Sequence, residues 1–486
     1  MIISAEEAIK KRIPGELIAL AQLFDKRGFC LYAVGGLVRN TLLGLPVSDI
    51  DICSAMRPND VAALAQEKGF TVVKKGIEFG MVELHIGKEK FEHTTFRTDK
   101  YSEGGSHRPS SVEFSSSPHE DAFRRDFSVN ALYYAIKSGE LIDPTGGIPD
   151  LEKGLIRTTS PDPAAVLADD GLRIMRLVRF CAELGFEIEP RSFETAKSLV
   201  KNLLDISPER LRDELDKILL SDVKYGKRNA ERVYGALALL RDIGAIETIL
   251  PELYLGRGIT QKAQYHRYDV LDHSLHSCAE APAELTLRLA ALLHDVGKPE
   301  VNLKTGLMRG HDAAGEPIAR AILKRLKYDN RTADEVSFLV RHHMLDLNNT
   351  AKDATLRRNF ARWGEERSMA LAEVRAADFI GSGIIEGPVA SAERWKKLIN
   401  RMHEEKVPFK ESELDCTGGD IMERFALPPC PAVGKIKKML MEHCAVRPRD
   451  NRRERLLEIA RDYIGTALFD GSRADGGGSK DGEDGK

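Results

Sequence analysis

The chain has 486 residues and a formal net charge of −3, from 72 Lys and Arg against 75 Asp and Glu. That length exceeds one ordinary domain and points to roughly three or four, and 42% hydrophobic with 30% charged residues excludes a disordered chain in favour of a soluble protein with full cores. The apolar runs are too short to span a bilayer, and at so small a net charge a nucleic-acid partner would have to be met by local basic patches.

The opening stretch MIISAEEAIKKRIPGEL is charged and amphipathic, without the apolar core of a signal peptide. Ile9, Ile13, Leu17, Leu20 and Phe24 recur at helical spacing and predict a packing helix within residues 1–30. Seven scattered cysteines without a CxxC pair argue for reduced thiols in a cytoplasm, against a disulfide framework or a zinc ribbon. The segment around which the rest is organised follows: LYAVGGLVRNTLLGLPVSDIDIC, residues 31–53. Leu31 to Val34 reads as a short buried strand. Gly35-Gly36 opens a segment of helical spacing (Val38, Leu42, Leu43), and a turn leads into Asp49-Ile50-Asp51-Ile52. Strand alternation puts Asp49 and Asp51 on one face and Ile50 and Ile52 on the other. Paired carboxylates repel unless a cation lies between them, and oxygen ligands of this kind suit Mg²⁺, which completes its shell with substrate phosphates and water. The glycines let phosphate approach the backbone at a helix start, and Arg39 adds a permanent positive charge. A DxD alone is more often an exposed strand face. Strand, Gly-Gly, Arg, turn and DxD in that order read as a metal–triphosphate site, able to activate a hydroxyl and stabilise departing pyrophosphate.

A helix near Pro58 to Lys68 precedes FTVVKKG, MVELHIG and EKFEHTTFR, which alternate like strands of a small mixed sheet. Glu92 on the last strand is either a third carboxylate beside Asp49 and Asp51 or an exposed strand residue. Residues 97–109, with Gly104-Gly105, read as a flexible loop. In RRDFSVNA, Arg125, Asp126 and Asn130 set a cation, a carboxylate and an amide near a helix start. These can serve phosphate and ribose hydroxyls, or simply cap the helix. Asp143, Gly146, Gly147 and Asp150 mark a turn. In DDGLRIMRLVRFCAELGF, residues 169–186, Ile174, Leu177, Val178 and Cys181 form an apolar stripe, with Arg173, Arg176 and Arg179 on another face. Asp170 and Arg173 are spaced as helix neighbours. As a fixed pair they would offer an acceptor and donors to a base edge, and cytosine and adenine both carry an amine beside a ring nitrogen acceptor. A surface ion pair is the commoner fate of this pattern. Ser207-Pro208-Glu209 starts another helix, in which Arg210 either packs or contacts RNA, and KYGKRNAERV adds a basic patch. Between 260 and 380, His266, His273, His276, His294, His311, His342 and His343, with Asp295 and Asp378, are expected on helical segments. A helical tail follows, whose PRDNRRERLLEIARDY either tracks an RNA backbone or forms a solvated face. The Gly-rich, charged end is expected to be disordered over 466–486.

GGLVRNTLLG…SDIDI resembles the first motif of the class II nucleotidyltransferases, the tRNA CCA-adding enzymes and bacterial poly(A) polymerases. Five further segments resemble later parts of the family, four of them its later motifs and one a strand with its loop. FEHTTFRTDKY…HRPSSVEF is similar to its strand and mobile loop, and residues 143–158 to the flexible join between head and neck. RRDFSVNA resembles the ribose motif, with Ser128 where Thr is usual, and assigns that role to Asp126 and Asn130. DDGLR resembles EDxxR, in which the second acid and the arginine select CTP and ATP; this points to Asp170 and Arg173, while Asp169 departs from the usual Glu. ISPERLRDELDKILL is similar to the last motif. RLAALLHDVGKP resembles the HD superfamily of metal-dependent phosphohydrolases. That resemblance implies His273, His294, Asp295 and Asp378 as ligands, with His311 and His342 at positions used for a second metal, for Mn²⁺, Fe²⁺, Ni²⁺ or Mg²⁺.

The implied fold is α+β: a small mixed-sheet nucleotidyltransferase head (1–155), then all-α regions, namely neck and body (156–259), an HD domain (260–385) and a tail (386–465). The implied activity is addition of CCA to the tRNA 3′ end from CTP and ATP. Asp49 and Asp51 would hold two Mg²⁺, and Gly35, Gly36 and Arg39 the triphosphate. Arg125, Asp126, Asn130, Asp170, Arg173 and Arg176 would line the nucleotide site. A poly(A) polymerase would carry an arginine-rich strand where this chain reads KKGIEFGMVELHIG. A CC-only or A-only enzyme is a closer alternative, against which the full-length 97–109 segment weighs. An HD phosphohydrolase with an RNA-binding head, or a non-catalytic RNA binder, is opposed by the intact DxD.

Overall fold

The computed structural model describes residues 4–474, apart from 74–75, 101–110, 227 and 385. The opening region is two helices rather than one, Ala5–Lys10 and Gly15–Lys26. Pro14, extended at φ −61 and ψ 150, separates them because its ring cannot continue a helix. The five apolar residues marked by their spacing are all buried.

The head is built on a seven-stranded sheet in the order β3-β4-β5-β2-β1-β8-β9. Its strands are β1 (Tyr32–Val34), β2 (Ile50–Ser54), β3 (Thr71–Val73), β4 (Met81–Ile86), β5 (Glu89–Thr95), β8 (Tyr133–Ala135) and β9 (Leu141–Ile142). The β2–β5 pair is parallel and the other five pairs are antiparallel. Alternation works as the sequence implies. Ile52, Val82, Leu84 and Phe91 bury completely, in one core with Leu17, Leu20 and Phe24 and with Val61 and Leu64 of the helix Pro58–Glu67. Each such side chain stabilises the head by about 1.5–3 kcal/mol. A one-residue slip of β2 would turn Ile52 out and Asp51 in, so core burial itself enforces the register of the carboxylates. β6 (Arg97–Lys100) and β7 (Ser111–Phe114) make a separate hairpin. The segment read as a loop from 97 therefore begins as a strand, and Gly104 and Gly105 lie outside the described residues.

The body carries the helices Leu172–Leu184, Pro208–Leu219 and Ala230–Ile243. It is not wholly helical, because β10 (Leu155–Ile156) pairs in parallel with β11 (Glu187–Ile188). Helices Val270–Glu280, Leu285–Leu293, His311–Arg325, Asn330–His342 and Glu365–Gly381 form the next bundle. Arg288 joins that bundle to the body. It is fully buried and donates to both oxygens of the equally buried Asp222, at 2.7 and 2.8 Å, and to Leu219 O. The helix Ala390–Glu404 shares the main core through Trp395, Leu398 and Ile399. A second core begins at Leu414 and includes Ile436, Leu440 and Leu456. The final helix runs Arg453–Ala474, so the backbone of residues 466–474 continues a helix where disorder is expected; residues 475–486 lie outside the described ones. All seven cysteines are free thiols.

Candidate active site and metal centre

Gly35 turns the chain out of β1 at φ 67 and ψ −119, a left-handed conformation open mainly to glycine. A Cβ there would lie 3.6 Å from Asn130 O and 3.9 Å from Asp51 Oδ2, so the turn packs the backbone close to both. Gly36 begins the helix Gly36–Leu42. Asp51 projects from the exposed face of β2, Asp49 lies exposed one residue before the strand begins, and the parallel register sets Asp51 directly opposite Glu92 on β5. Glu83 on β4 stands opposite Glu92 in turn, with its carboxylate tied to His85 at 2.6 Å and Lys90 at 2.8 Å. Asp51 titrates above the usual carboxylate range. The protein packed around it is the largest cause; Asp49 adds repulsion, which Arg125, Arg176 and Arg39 only partly offset. Glu92 is raised likewise, by its surroundings first and then by Asp51. Asp51 and Glu92, both raised and each pushing the other up on one sheet face, are with the neighbouring Asp49 a donor set a hard dication fits.

Behind them runs a chain of hydrogen bonds. Arg176 donates to Asp126 Oδ2, with Nε at 2.8 Å. Asp126 Oδ1 accepts from Phe127 N at 2.8 Å and Asn130 Nδ2 at 3.1 Å. Asn130 Oδ1 accepts from Arg39 Nη1 at 2.5 Å. Burial alone would raise Asp126, but Arg176 and Asn130 bring it down to about 2. Arg39 is only 4% exposed. Its remaining donors engage Asn40 Oδ1 at 3.0 and 2.8 Å, with Tyr225 Oη at 3.4 Å. In this arrangement Arg39 braces Asn130 rather than facing the cleft. Arg125 is held by Asp121 at 3.1 Å and Tyr133 Oη at 2.9 Å.

Asp170 and Arg173 depart from the pairing expected of them. The helix starts at Leu172, so Asp170 precedes it, and its Oδ1 accepts from Leu172 N at 3.0 Å. Its Oδ2 takes Arg210 Nη2 at 2.8 Å. Arg173 instead donates to the carbonyls of Val166, at 2.8 Å, and Arg124, at 2.6 Å. Arg173 N bonds to Asp170 O, at 2.9 Å, so the two residues are joined through the backbone.

A second site lies in the following bundle. Two groups of three ligands converge there, His273 with His294 and Asp378, and Asp295 with His311 and His343. His273 Nε2 is 3.1 Å from His294 Nε2 and 3.1 Å from Asp378 Oδ1. Asp295 lies between the groups. Its Oδ2 is 3.4 Å from His273 and 3.2 Å from His294, and its Oδ1 is 3.1 Å from His311 and 3.8 Å from His343. Adjacent ligands of one metal at bonds of about 2.1 Å stand about 3 Å apart, so these spacings fit metal ions. Buried Asp295 and the partly exposed Asp378 titrate well below the usual range: the protein packed around them opposes ionisation, and the neighbouring histidines, with Lys298 beside Asp295, overcome it. Burial holds His343 down at about 3, neutral and able to ligate. His342, expected as a ligand, is not one of the converging groups. It closes the helix with its ring against Phe338 and Trp363, at 4.6 and 4.5 Å. One residue further is about 100° further round a helix, and that carries His343 to the site. His266 lies in a loop, not on a helix, with its ring 4.6 Å from that of His273.

Comparison with known proteins agrees with this organisation. Residues 31–157 match the poly(A) polymerase head domain, 185–255 a probable RNA- and SrmB-binding region of polymerase A, and 264–380 the HD domain. An A-adding tRNA nucleotidyltransferase of Deinococcus radiodurans is 30% identical over 84% of this chain and 90% of its own length. A CCA-adding enzyme of Geobacillus stearothermophilus is 30% identical over 91% and 95%. The chain belongs to the tRNA nucleotidyltransferase family. Among solved structures, the Bacillus stearothermophilus CCA-adding enzyme in complex with CTP superposes with a TM-score of 0.68 at 26% identity, over 94% of this chain and 98% of that one. The Thermotoga maritima CCA-adding enzyme complexed with tRNA shares the fold at 18% identity and a TM-score of 0.59, over 96% and 100%.

The chain is thus a nucleotidyltransferase with an HD domain, of a family whose head and HD domains both use divalent metal. No helix among the described residues is long and apolar enough to cross a membrane. The structure brings Asp51 and Glu92 to one face with Asp49 just ahead of the strand, and Gly35, Asp126, Asn130, Arg125 and Arg176 around them. Sequence reasoning did not find His343, the pairing of Arg210 with Asp170, or the approach of Tyr225 to Arg39. Only the HH doublet at 342–343 offered a signal, and it did not say which imidazole faces inward.

Proposed function

We propose that this protein builds the 3′-terminal CCA of tRNA, transferring CMP and then AMP from CTP and ATP. The observation that carries the reading is the register that sets Asp51 opposite Glu92 on an exposed sheet face beside the Gly35 turn, with Asp49 exposed just ahead of the strand, within a family-matched head. Asp49 and Asp51 would hold two Mg²⁺, with Glu92 beside them. Bound there, the ions would lower the pKa of the tRNA 3′-hydroxyl and neutralise the departing pyrophosphate. The rest falls to the chain. The Gly35-Gly36 backbone admits the triphosphate, and Arg125 and Arg176 supply positive charge to it. Asp126 and Asn130 address the ribose hydroxyls. Asp170 and Arg173 address the base edge, Asp170 steadied by Arg210. Arg39 supports the ribose contact through the Asn130 it braces, rather than meeting the triphosphate itself.

Addition of A alone is the second reading, because one relative of equal identity carries that name. The length of the 97–109 segment favours complete addition. The HD centre is a separate metal site for Mn²⁺, Fe²⁺, Ni²⁺ or Mg²⁺. The deciding experiment supplies labelled CTP and ATP, singly and together, to tRNAs lacking the last one, two or three nucleotides. Ordered addition that stops after A, and a loss of about a thousandfold or more in Asp51→Ala, is the expected result. Incorporation of ATP only would make it an A-adding enzyme, long A tails a poly(A) polymerase, and full activity in Asp51→Ala would overturn the mechanism.

A further inference from the structure

We propose that Tyr225 is a positioning residue for the incoming nucleotide's ribose, reaching from the helical body into the head to hold the residues that hold Asn130. The inference rests on the nucleotidyltransferase reading above and goes beyond it, by giving the body a part in ribose recognition.

The argument starts from Arg39. A guanidinium keeps its charge in proteins and offers five N–H donors that need acceptors when buried. Arg39 is 4% exposed, and among the described residues no carboxylate makes an ion pair with it. Its acceptors are neutral: Asn40 Oδ1 twice, Asn130 Oδ1 and Tyr225 Oη. Asn40 is fixed on its other side, donating through Nδ2 to Pro46 O at 2.8 Å and to Tyr225 Oη at 3.2 Å. The phenol oxygen therefore meets both members of the Arg39–Asn40 pair from a segment 185 residues away from Asn40. Arg39 in turn holds Asn130 Oδ1, which leaves the Asn130 amide group aimed at Asp126. Those are the two groups assigned to the ribose.

Tyr225 is not on a free-swinging loop. Three residues before it, Asp222 is fully buried, accepts both arms of Arg288 and takes Asn229 N at 2.9 Å. The segment is thus clamped at both ends, and the hydroxyl is delivered to one place. Seated on the head, that segment adds an anchor to the Arg39–Asn40 pair through which Asn130 is held against Asp126.

The test is Tyr225→Phe in the full-length chain, which removes one hydroxyl and keeps the ring. Steady-state incorporation of ATP and of 2′-deoxy-ATP is measured on tRNA lacking only its last nucleotide, with a melting curve alongside. The loss of one neutral hydrogen bond predicts a rise of about fivefold in KM for ATP, with kcat within about twofold. The preference for ATP over 2′-deoxy-ATP should fall by about as much. Combined with Asn130→Ala, Tyr225→Phe should add nothing further to that fall, since both act through one chain. Wild-type KM and preference in Tyr225→Phe would overturn the inference. So would a lower kcat and melting temperature with the preference intact, which is what a merely structural tyrosine would give. If the unaltered protein incorporates neither CTP nor ATP, the nucleotidyltransferase reading falls and this inference with it; an active wild type with an indifferent variant removes the inference alone.

Discussion

The join between body and HD bundle rests on Arg288, and replacing it by methionine is a direct measure of that join. Arg288 makes three contacts, two to Asp222 and one to Leu219 O, and both partners of the pair are completely shielded from solvent. In Arg288→Met the Asp222 carboxylate would keep the Asn229 N–H donor at 2.9 Å but lose its counter-charge. Removing one partner of a buried pair costs about 3–5 kcal/mol, because the other charge is left stranded. Asp222→Asn strands the guanidinium and costs a similar amount. The double variant strands neither and loses only hydrogen bonds, at about 1 kcal/mol each. The sum of the single losses should therefore exceed the double loss by about 3–7 kcal/mol. Urea unfolding followed by tryptophan fluorescence suits the measurement, because both tryptophans, Trp363 and Trp395, lie in or against the core this bundle shares. Single losses below about 1 kcal/mol, or losses that simply add, would refute the assignment of a buried charge pair.

Two other outcomes follow from the sites. After chelation and reloading with Mn²⁺, His343→Ala should lose metal per chain by elemental analysis while His342→Ala keeps it; the reverse order would restore His342 as the ligand. Asp126, held at about 2 against an ordinary 3.8, contributes stability that is complete above pH 4 and lost as pH falls through 2. Asp126→Asn should thus cost about 2 kcal/mol at neutral pH. Its deficit should shrink between pH 4 and pH 2, and a deficit independent of pH would count against the Asp126–Arg176 pair.

Most of the architecture was legible because its signals are local. The alternation of 81–95 is β4 and β5, and the Ser207-Pro208 start opens its helix on schedule. The Asp49–Asp51 face follows from a period of two. The failures concern partners distant in sequence. Helical spacing paired Asp170 with Arg173, but the helix begins two residues after Asp170, and Arg210 from another helix takes its carboxylate. Arg39 reads as a cleft cation by position, yet its guanidinium is consumed by Asn40, Asn130 and Tyr225. A doublet such as His342-His343 cannot declare its inward member without the helix phase. Each error arises where tertiary contacts choose among donors that local rules leave equivalent.

The lone parallel pairing in the head sheet, β2 with β5, has a consequence for how the enzyme comes into being. Parallel neighbours need a crossover between them, here the Pro58–Glu67 helix and the strands β3 and β4. Asp51 gains its opposite number, Glu92, only when all of that has emerged and folded back. Contacts of such long sequence separation form late, after the entropy of closing the loop has been overcome. A nascent head that has made β1 and β2 holds two acidic groups but no wall to set them against. On the roles proposed for Asp51 and Glu92, the acidic face is therefore completed late in the folding of this head, after the β2–β5 pair has closed.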